Sequence, residues 1–193
     1  MRGFVLSLTV AGLACAGSHT ASAQPTGAPL VAPAQTAANG DLMGADGRVI
    51  GRVMLREGPT GVLISVEARG LKPGWHGMHF HEKGTCSDAG FKMSGGHMNH
   101  EPKRSHGLLS AGGPDFGDLP SLWVGADGSG HAQAFSTLVS LHGAGGRAAL
   151  LDADGSALVI HADPDDQTTQ PIGGAGARVA CAVINAAGLV PAG

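Results

Sequence analysis

Short runs in which apolar and polar residues alternate are the main structural signal along this chain. Val62, Ile64 and Val66 alternate with Leu63, Ser65 and Glu67, and a period of two predicts a strand with one buried face. Similar short runs predict further strands at 49–56, 78–82, 121–125, 131–136, 148–152, 157–161 and 178–184. Long helical periodicity is absent. About eight short strands separated by turn signals predict an all-β fold, a Greek-key β-barrel or sandwich of antiparallel strands.

Two segments are too long to be turns between these strands. Residues 57–61, Asp127-Gly128 and Asp154-Gly155 have the composition of tight turns. Residues 83–120 and 162–177 are much longer, and each follows directly after a strand that carries histidine. Because structureless loops of this length are uncommon in compact domains unless they have a function, we expect these two loops to build a site.

The N-terminal region differs from the rest of the chain. Met1-Arg2, a mostly apolar run from 4 to 15 and the small residues Ala21-Ser22-Ala23 predict a secretory signal peptide over residues 1–23. Residues 24–36 predict a disordered linker, and residues 37–193 a single folded domain. The apolar run is too short to span a bilayer, so the mature chain is expected outside the membrane. The signal peptide predicts a periplasmic location, and attachment through a lipid anchor at Cys15 is the weaker alternative.

Charge and cysteine content narrow the function further. The formal charge is −3 and only 14% of residues are charged, which argues against nucleic-acid binding. Removal of the signal peptide would leave two cysteines, Cys86 and Cys181. An even pair in an exported chain favours one disulfide, with two buried free thiols as the alternative.

Histidines are concentrated where the long loops begin. His79 and His81 lie two residues apart on a predicted strand, so both rings point to the same face. The same region holds His97, His100, His106, Asp115 and Asp118, and His161 ends a later strand. Imidazoles suit copper and zinc, and added carboxylates favour zinc over Cu(I). The chain therefore predicts a site made almost entirely of histidine and a mixed His/Asp site.

Several motifs, in a fixed order, resemble those of the copper–zinc superoxide dismutases. The resemblance covers roughly residues 40–187 and extends to the bacterial exported branch of the family. The motifs are Gly77-Met78-His79-Phe80-His81-Glu82, Gly95-Gly96-His97-Met98-Asn99, His106-Gly107, Gly117-Asp118-Leu119-Pro120, the segment from Val159 to Asp166 around His161, and the segment from Gly174 to Cys181.

The resemblance implies roles for individual residues, together with one copper and one zinc per chain. Asp165 would orient one copper ligand and one zinc ligand, Arg178 would attract the anionic substrate beside the copper, and His76 would be structural. Cys86 and Cys181 match the family's disulfide. The implied copper ligands are His79, His81, His97 and His161, with His97 bridging to zinc, and the implied zinc ligands are His97, His106, Asp115 and Asp118.

The zinc half departs from the family pattern. Asp115 stands where the family usually has a histidine, so zinc would have four ligands including Asp115, or three with a water, or would be lost. His100 is a second departure, either a substitute ligand or an exposed loop residue. The second loop contains Asp163, Asp165 and Asp166 but no lysine, so steering of superoxide would come from elsewhere, such as Lys83, Lys92, Lys103 or Arg104.

The activity implied is dismutation of superoxide to oxygen and hydrogen peroxide in the cell envelope. His97 would also shuttle a proton between copper and the departing peroxide. The alternative is a non-catalytic copper- or zinc-binding protein on the same scaffold, and a purely structural sandwich would leave the ordered motifs unexplained. A homodimer would use Trp123 and Phe135 as surface residues. The alternation of apolar and polar positions is equally compatible with both residues lying in the core.

Overall fold

The fold is almost entirely β-structure. The structure, a computed structural model, describes Gly3 and residues 35–190, with side-chain burial described for Gly3 and residues 37–187. The predicted signal peptide, apart from Gly3, and most of the predicted linker lie outside the described residues. The strands are β1 Gln35–Gly44, β2 Val49–Gly58, β3 Gly61–Ala68, β4 Gly74–His76, β5 Met78–His81, β6 Leu122–Val124, β7 Gly130–Ser136, β8 Val139–Ser140, β9 Ala148–Ala149, β10 Ala157–His161, β11 Arg178–Val183 and β12 Asn185–Val190.

One antiparallel sheet contains ten of these strands in the order β4-β6-β7-β3-β2-β1-β11-β10-β5, with β12 paired to β1. After β3 the chain leaves its neighbours, forms β4 and β5 at the two ends of the order, and returns so that β7 pairs with β3. This crossing is typical of a Greek key. The short strands β8 and β9 form a separate parallel pair.

The segment from β4 to β5 closes the sheet into a barrel. β4 pairs with β6, with Trp75 opposite Trp123, and β5 pairs with β10, with His79 opposite Val159. Because β4 and β5 are separated by Gly77 alone, one stretch of chain joins the first and last strands of the order. The antiparallel barrel that the sequence predicts is therefore confirmed.

Alternation along the strands matches burial in the barrel. On β3, Val62, Ile64 and Val66 are almost completely buried, whereas Leu63 and Ser65 are partly exposed and Glu67 is exposed. These buried positions join Leu55 of β2 in one continuous apolar core. Since burial of apolar area is the main driving force for folding, the period of two that predicted the strands also explains why they fold as a barrel.

Four described strands are absent from the sequence predictions: β1, β4, β8 and β12. The run predicted at 148–152 is also shorter, with only Ala148–Ala149 in a strand. β1 lacks clear alternation, and its extended form depends on pairing with β2, β11 and β12. A Cβ at Gly40 would lie 2.2 Å from the carbonyl oxygen of Val183, so the close approach of β1 to its neighbour requires glycine there.

The two long loops lie where the sequence places them. Residues 83–120 contain a 3-10 turn at Lys92–Ser94, and bridges connect His81 to His97 and His79 to Asp118. A disulfide joins Cys86 in this loop to Cys181 on β11, as predicted. In the described part of the chain, no helix has the length and apolarity needed to cross a membrane.

Candidate metal centre

Four histidines come together in one site. His79 and His81 lie on β5, His161 ends β10, and His97 is joined to His81 by a β-bridge. One ring nitrogen from each of the four lies within 4.8 Å of the others. We call these residues the four-histidine cluster. The i, i+2 spacing that singled out His79 and His81 therefore places both rings on the same site.

In each ring of the four-histidine cluster, the nitrogen outside the converging set has a nearby acceptor oxygen. His79 Nε2 lies 2.6 Å from Asp165 Oδ2, and His81 Nδ1 lies 3.0 Å from the Gly95 carbonyl oxygen. His97 Nδ1 lies 3.1 Å from Asp115 Oδ2, and His161 Nδ1 lies 3.1 Å from the Gly176 carbonyl oxygen. An acceptor on one nitrogen fixes the ring orientation and leaves the lone pair of the other free for a metal.

The nitrogens that face inward have the surroundings expected of metal ligands. Among the described residues, His79 Nδ1, His81 Nε2, His97 Nε2 and His161 Nε2 are buried without a hydrogen-bond partner. A buried polar atom without a partner is destabilising, and four converging ones are rare in native proteins. A copper ion on these nitrogens would satisfy all four, so the residues present fit the metal.

Three of these rings are neutral at ordinary pH. Burial lowers the pKa of His79 to about 3, despite its hydrogen bond to Asp165. Burial and the nearby Arg178 lower the pKa of His81 to about 2, and burial lowers the pKa of His161 to about 4. A neutral imidazole is the form that binds a metal.

A second cluster of polar atoms lies beside the first. His79, His97, His106 and Asp118 each offer an atom to a set within 4.8 Å. His106 Nδ1 is 2.6 Å from Asp118 Oδ1, and His97 Nδ1 is 3.6 Å from the same oxygen and 3.1 Å from Asp115 Oδ2. We call His97, His106, Asp115 and Asp118 the His/Asp cluster. All four predicted zinc positions are thus brought together, and this mixture of imidazole and carboxylate suits zinc.

Charge distinguishes the His/Asp cluster from its neighbour. Burial disfavours the charged form of His106, but hydrogen bonds to Asp118 and Asp165 outweigh it and raise its pKa to about 10. Burial likewise opposes charge on His97, but hydrogen bonds to Asp115 and Asp118 outweigh it and raise the pKa of this ring. Despite burial, the partner histidines lower the pKa of Asp118, whereas burial raises the pKa of Asp115. The carboxylates of this cluster thus favour positive charge on its rings, as they would favour a bound cation.

Asp165 connects the two clusters. Its Oδ2 lies 2.6 Å from His79 Nε2 and its Oδ1 lies 3.1 Å from His106 Nε2. The hydrogen bonds to the two histidines outweigh burial and lower the pKa of this carboxyl, so it is an anion. The structure therefore places Asp165 between one ring of each cluster, where the resemblance expects it.

A cavity of about 490 Å³ gives access to the site. It is lined by His97, Asp115 and Arg178, and also by Lys103 and Arg104. The Arg178 guanidinium donates to the carbonyl oxygens of Phe91, at 2.6 Å, and Gly95, at 2.6 Å. Of the proposed steering residues, Lys103 and Arg104 line this cavity together with Arg178, whereas Lys83 and Lys92 do not line it.

The remaining predicted residues fall outside the clusters. His100 lies beside the Phe116 ring, with ring centroids 5.9 Å apart, and belongs to neither cluster. His76 is buried, with its nitrogens 2.6 Å from the His161 carbonyl oxygen and 2.7 Å from that of Lys72, as suits a structural histidine. Sequence reasoning missed Gln167 and Gln170, which bond to the loop around His106, because nothing distinguishes them from other polar loop residues.

Known proteins give an independent comparison. A family model described as copper/zinc superoxide dismutase matches residues 49–184. A superoxide dismutase [Cu-Zn] from Caulobacter vibrioides is 57% identical over 139 residues, covering 72% of this chain and 80% of the relative. Crystal structures of a SOD-like protein from Bacillus subtilis and a Cu/Zn superoxide dismutase from Brucella abortus also match. The first has a TM-score of 0.70, 36% identity and coverage of 75% of this chain and 97% of the other. The second has a TM-score of 0.61, 29% identity and coverage of 77% and 99%. The chain belongs to the copper/zinc superoxide dismutase family.

Proposed function

We propose that this protein converts two superoxide anions and two protons into oxygen and hydrogen peroxide. The observation that carries the proposal is the set of four buried imidazole nitrogens that converge without a hydrogen-bond partner in the described structure. Members of this family bind copper and zinc, and the residues present fit both. Copper, when bound, supplies the one-electron redox chemistry that side chains lack. Its proposed ligands are His79, His81, His97 and His161.

Zinc is assigned to the His/Asp cluster as a structural ion. His97, His106 and Asp118 are the proposed ligands, with Asp115 in the fourth position. A closed set of four ligands is typical of structural zinc. Support comes from Asp115 Oδ2, which lies 3.1 Å from His97 Nδ1, the ring atom that also lies 3.6 Å from Asp118 Oδ1. Asp165 is proposed to orient His79 and His106 together through its two carboxylate oxygens.

His97 is proposed to carry the proton. Its Nδ1 faces the carboxylates of the His/Asp cluster, while its Nε2 is buried among the four histidines. The residue also lines the cavity from which substrate would arrive. A proton taken up at Nε2 can therefore pass to the departing peroxide.

Arg178 is proposed to attract and position superoxide. Burial lowers the pKa of its guanidinium, but an arginine stays protonated in proteins. Its bonds to the Phe91 and Gly95 carbonyls fix it at the cavity wall. Lys103 and Arg104 on the same cavity add positive potential, which raises the association rate of a small anion more than its affinity.

The experiment is a measurement of superoxide decay after a pulse of radiolysis. The full chain is expressed with its own N-terminus, purified and loaded with copper and zinc. We expect decay to be accelerated far beyond that caused by the same concentration of chelated copper, and we expect His161→Ala to abolish the acceleration. A loaded protein no faster than chelated copper would overturn the proposal in favour of non-catalytic metal binding.

Export to the periplasm is proposed from the N-terminus. Cleavage after Ala23 would release a chain whose Cys86–Cys181 disulfide suits an oxidising compartment. Fractionation of cells that produce the full chain, with mass analysis of the product, tests this proposal. Recovery of the uncleaved chain in the cytoplasm would contradict it.

A homodimer is proposed through the outer face of β4 and β6. Trp75 and Trp123 pair there with ring centroids 5.0 Å apart, and they are 52% and 51% exposed. Exposed tryptophans are enriched at protein interfaces. We expect Trp123→Ser to lower the mass measured by sedimentation, and Val49→Ser, an equally exposed position on β2, to leave it unchanged. A monomeric wild-type protein would overturn this proposal.

A further inference from the structure

His106 is held in a different way from the ligands on the strands. His79 and His161 take their backbone positions from barrel strands, through the pairing of β5 with β10 and of β10 with β11. His106 lies in the long loop 83–120, yet it is buried and supplies a ring nitrogen to the His/Asp cluster. Its main chain must therefore be fixed by something other than the barrel.

A single side chain bonds both main-chain polar groups of His106. The His106 N–H donates to Gln170 Oε1 at 2.9 Å, and Gln170 Nε2 donates to the His106 carbonyl oxygen at 2.8 Å. The side-chain amide of Gln170 thus forms the two hydrogen bonds that a neighbouring strand would form with the main chain of His106. Gln170 Nε2 also donates to the Thr168 carbonyl oxygen at 2.9 Å, which fixes the amide from the side of its own loop.

Gln167 extends this attachment to the residues that follow His106. The Leu108 N–H donates to Gln167 Oε1 at 3.1 Å, and Gln167 Nε2 donates to the Leu119 carbonyl oxygen at 3.3 Å. A Cβ at Gly107 would lie 2.0 Å from the Gln167 carbonyl oxygen, so the two loops are in close contact here. The Gln167 N–H in turn donates to Asp165 Oδ1 at 2.7 Å.

We propose that Gln170 is a positioning residue that sets the metal affinity of the His/Asp cluster by fixing the backbone of His106. The inference rests on the proposed function only in that this cluster holds zinc. The ring of His106 is oriented by Asp118 and Asp165, but these bonds do not fix where its Cα lies. Metal–nitrogen distances tolerate changes of only about 0.2 Å, so a displaced Cα weakens binding.

The effect should be confined to one cluster. Gln170 bonds to His106 and to Thr168, and neither belongs to the four-histidine cluster. Residues that support a ligand typically contribute about 10- to 100-fold to metal affinity. We therefore expect Gln170→Ala to weaken binding at the His/Asp cluster at least tenfold and to change binding at the four-histidine cluster much less.

The test uses Co(II) and Cu(II) titrations of the metal-free full-length protein. Co(II) bound to the His/Asp cluster is followed by its visible absorption, which depends on coordination geometry, and the loss of this band in Asp118→Ala identifies the cluster. Gln170→Ala should lower Co(II) affinity about tenfold or more and shift the band, and Gln133→Ala, a glutamine on distant β7, should do neither.

A conservative variant separates positioning from folding. Gln170→Glu keeps the acceptor for the His106 N–H and loses the donor to its carbonyl, so its Co(II) affinity should lie between those of wild type and Gln170→Ala. If Gln170→Ala fails to fold, the inference is tested with Gln170→Glu. Wild-type Co(II) affinity and absorption in both variants would overturn the inference, as would an equal loss of Cu(II) affinity. Inactivity of the loaded wild-type protein would instead count against the proposed function alone.

Discussion

The four-histidine cluster and the His/Asp cluster share one ring, that of His97, but are supported by different parts of the fold. His81 and His161 lie on paired strands of the closed barrel, whereas His106 and Asp118 lie in a loop attached by side chains. The pKa values differ in the same way, with about 2 for His81 and about 10 for His106. Barrel strands hold neutral rings ready for a metal, and loop carboxylates hold rings that carry protons until a metal replaces them.

Removing a ligand that belongs to only one cluster gives the largest expected effect. His161→Ala should lower copper affinity and superoxide dismutation by more than about 100-fold, since even residues that only support a ligand contribute about 10- to 100-fold. Zinc content should be nearly unchanged because His161 is absent from the His/Asp cluster. Metal analysis by mass spectrometry and radiolysis measure both.

The reciprocal variant completes this test. Asp118→Ala should lose zinc and keep most of its copper. If either variant lost both metals to the same extent, the two clusters would be a single unit and the distinction would fail.

Arg178 gives a smaller effect, on catalysis rather than metal content. Arg178→Ala should lower kcat/KM for superoxide about tenfold and flatten its dependence on ionic strength, because steering by a fixed charge is screened by salt. Copper and zinc contents should stay at wild-type levels, since Arg178 lies in neither cluster. Radiolysis at several salt concentrations makes the measurement, and an unchanged salt dependence would show that Lys103 and Arg104 supply the field.

The stability of the metal-free protein should respond to pH in opposite directions at the two clusters. The His81 and His161 pKa values are lowered, so unfolding takes up protons and the free energy of unfolding falls as pH drops below 6.5. The His106 pKa is raised to about 10, so its contribution is complete below pH 6.5 and is lost as pH rises towards 10. Each shift of one pKa unit corresponds to about 1.4 kcal/mol.

Urea unfolding at pH 5, 6.5 and 9 of protein stripped by a chelator measures this response. His106→Gln should reduce the loss on the alkaline side, and His81→Gln should reduce the loss on the acid side. A wild-type curve that rises steadily from pH 5 to pH 9 would contradict the charge assignment at the His/Asp cluster.

The smallest effects separate the two departures from the family pattern. Asp115→Ala should weaken zinc binding about tenfold, because its Oδ2 lies 3.1 Å from His97 Nδ1 within the cluster. His100→Ala should change zinc affinity by less than about twofold, because the ring packs beside Phe116 outside both clusters. Competition with a chromogenic chelator measures the zinc affinity of both variants. A larger loss of zinc affinity in His100→Ala than in Asp115→Ala would make His100 the substitute ligand.

Sequence predicted the strand-held half of the molecule better than the loop-held half. Alternation along β3 and the His79, His81 spacing reflect side-chain geometry on a strand, which is local and therefore visible in the sequence. β1 was missed because it lacks clear alternation and because two of its pairing partners, β11 and β12, are distant in the chain. Motif resemblance placed His106 and Asp118, but nothing local indicated that Gln170 would bond to His106 from a different loop.

The closure of the barrel by the segment from β4 to β5 has a consequence for hydrogen exchange. His79 and His81 lie on the stretch that joins the first and last strands, so their amides are shielded on a sheet without a free edge at that point. The backbone amides of His79 and His81, which face β10, should therefore exchange with solvent only when the whole barrel unfolds, whereas those of residues 106–109 exchange through local opening of the loops. Loss of metal through the loops would thus leave half of the four-histidine cluster in place, ready to bind again.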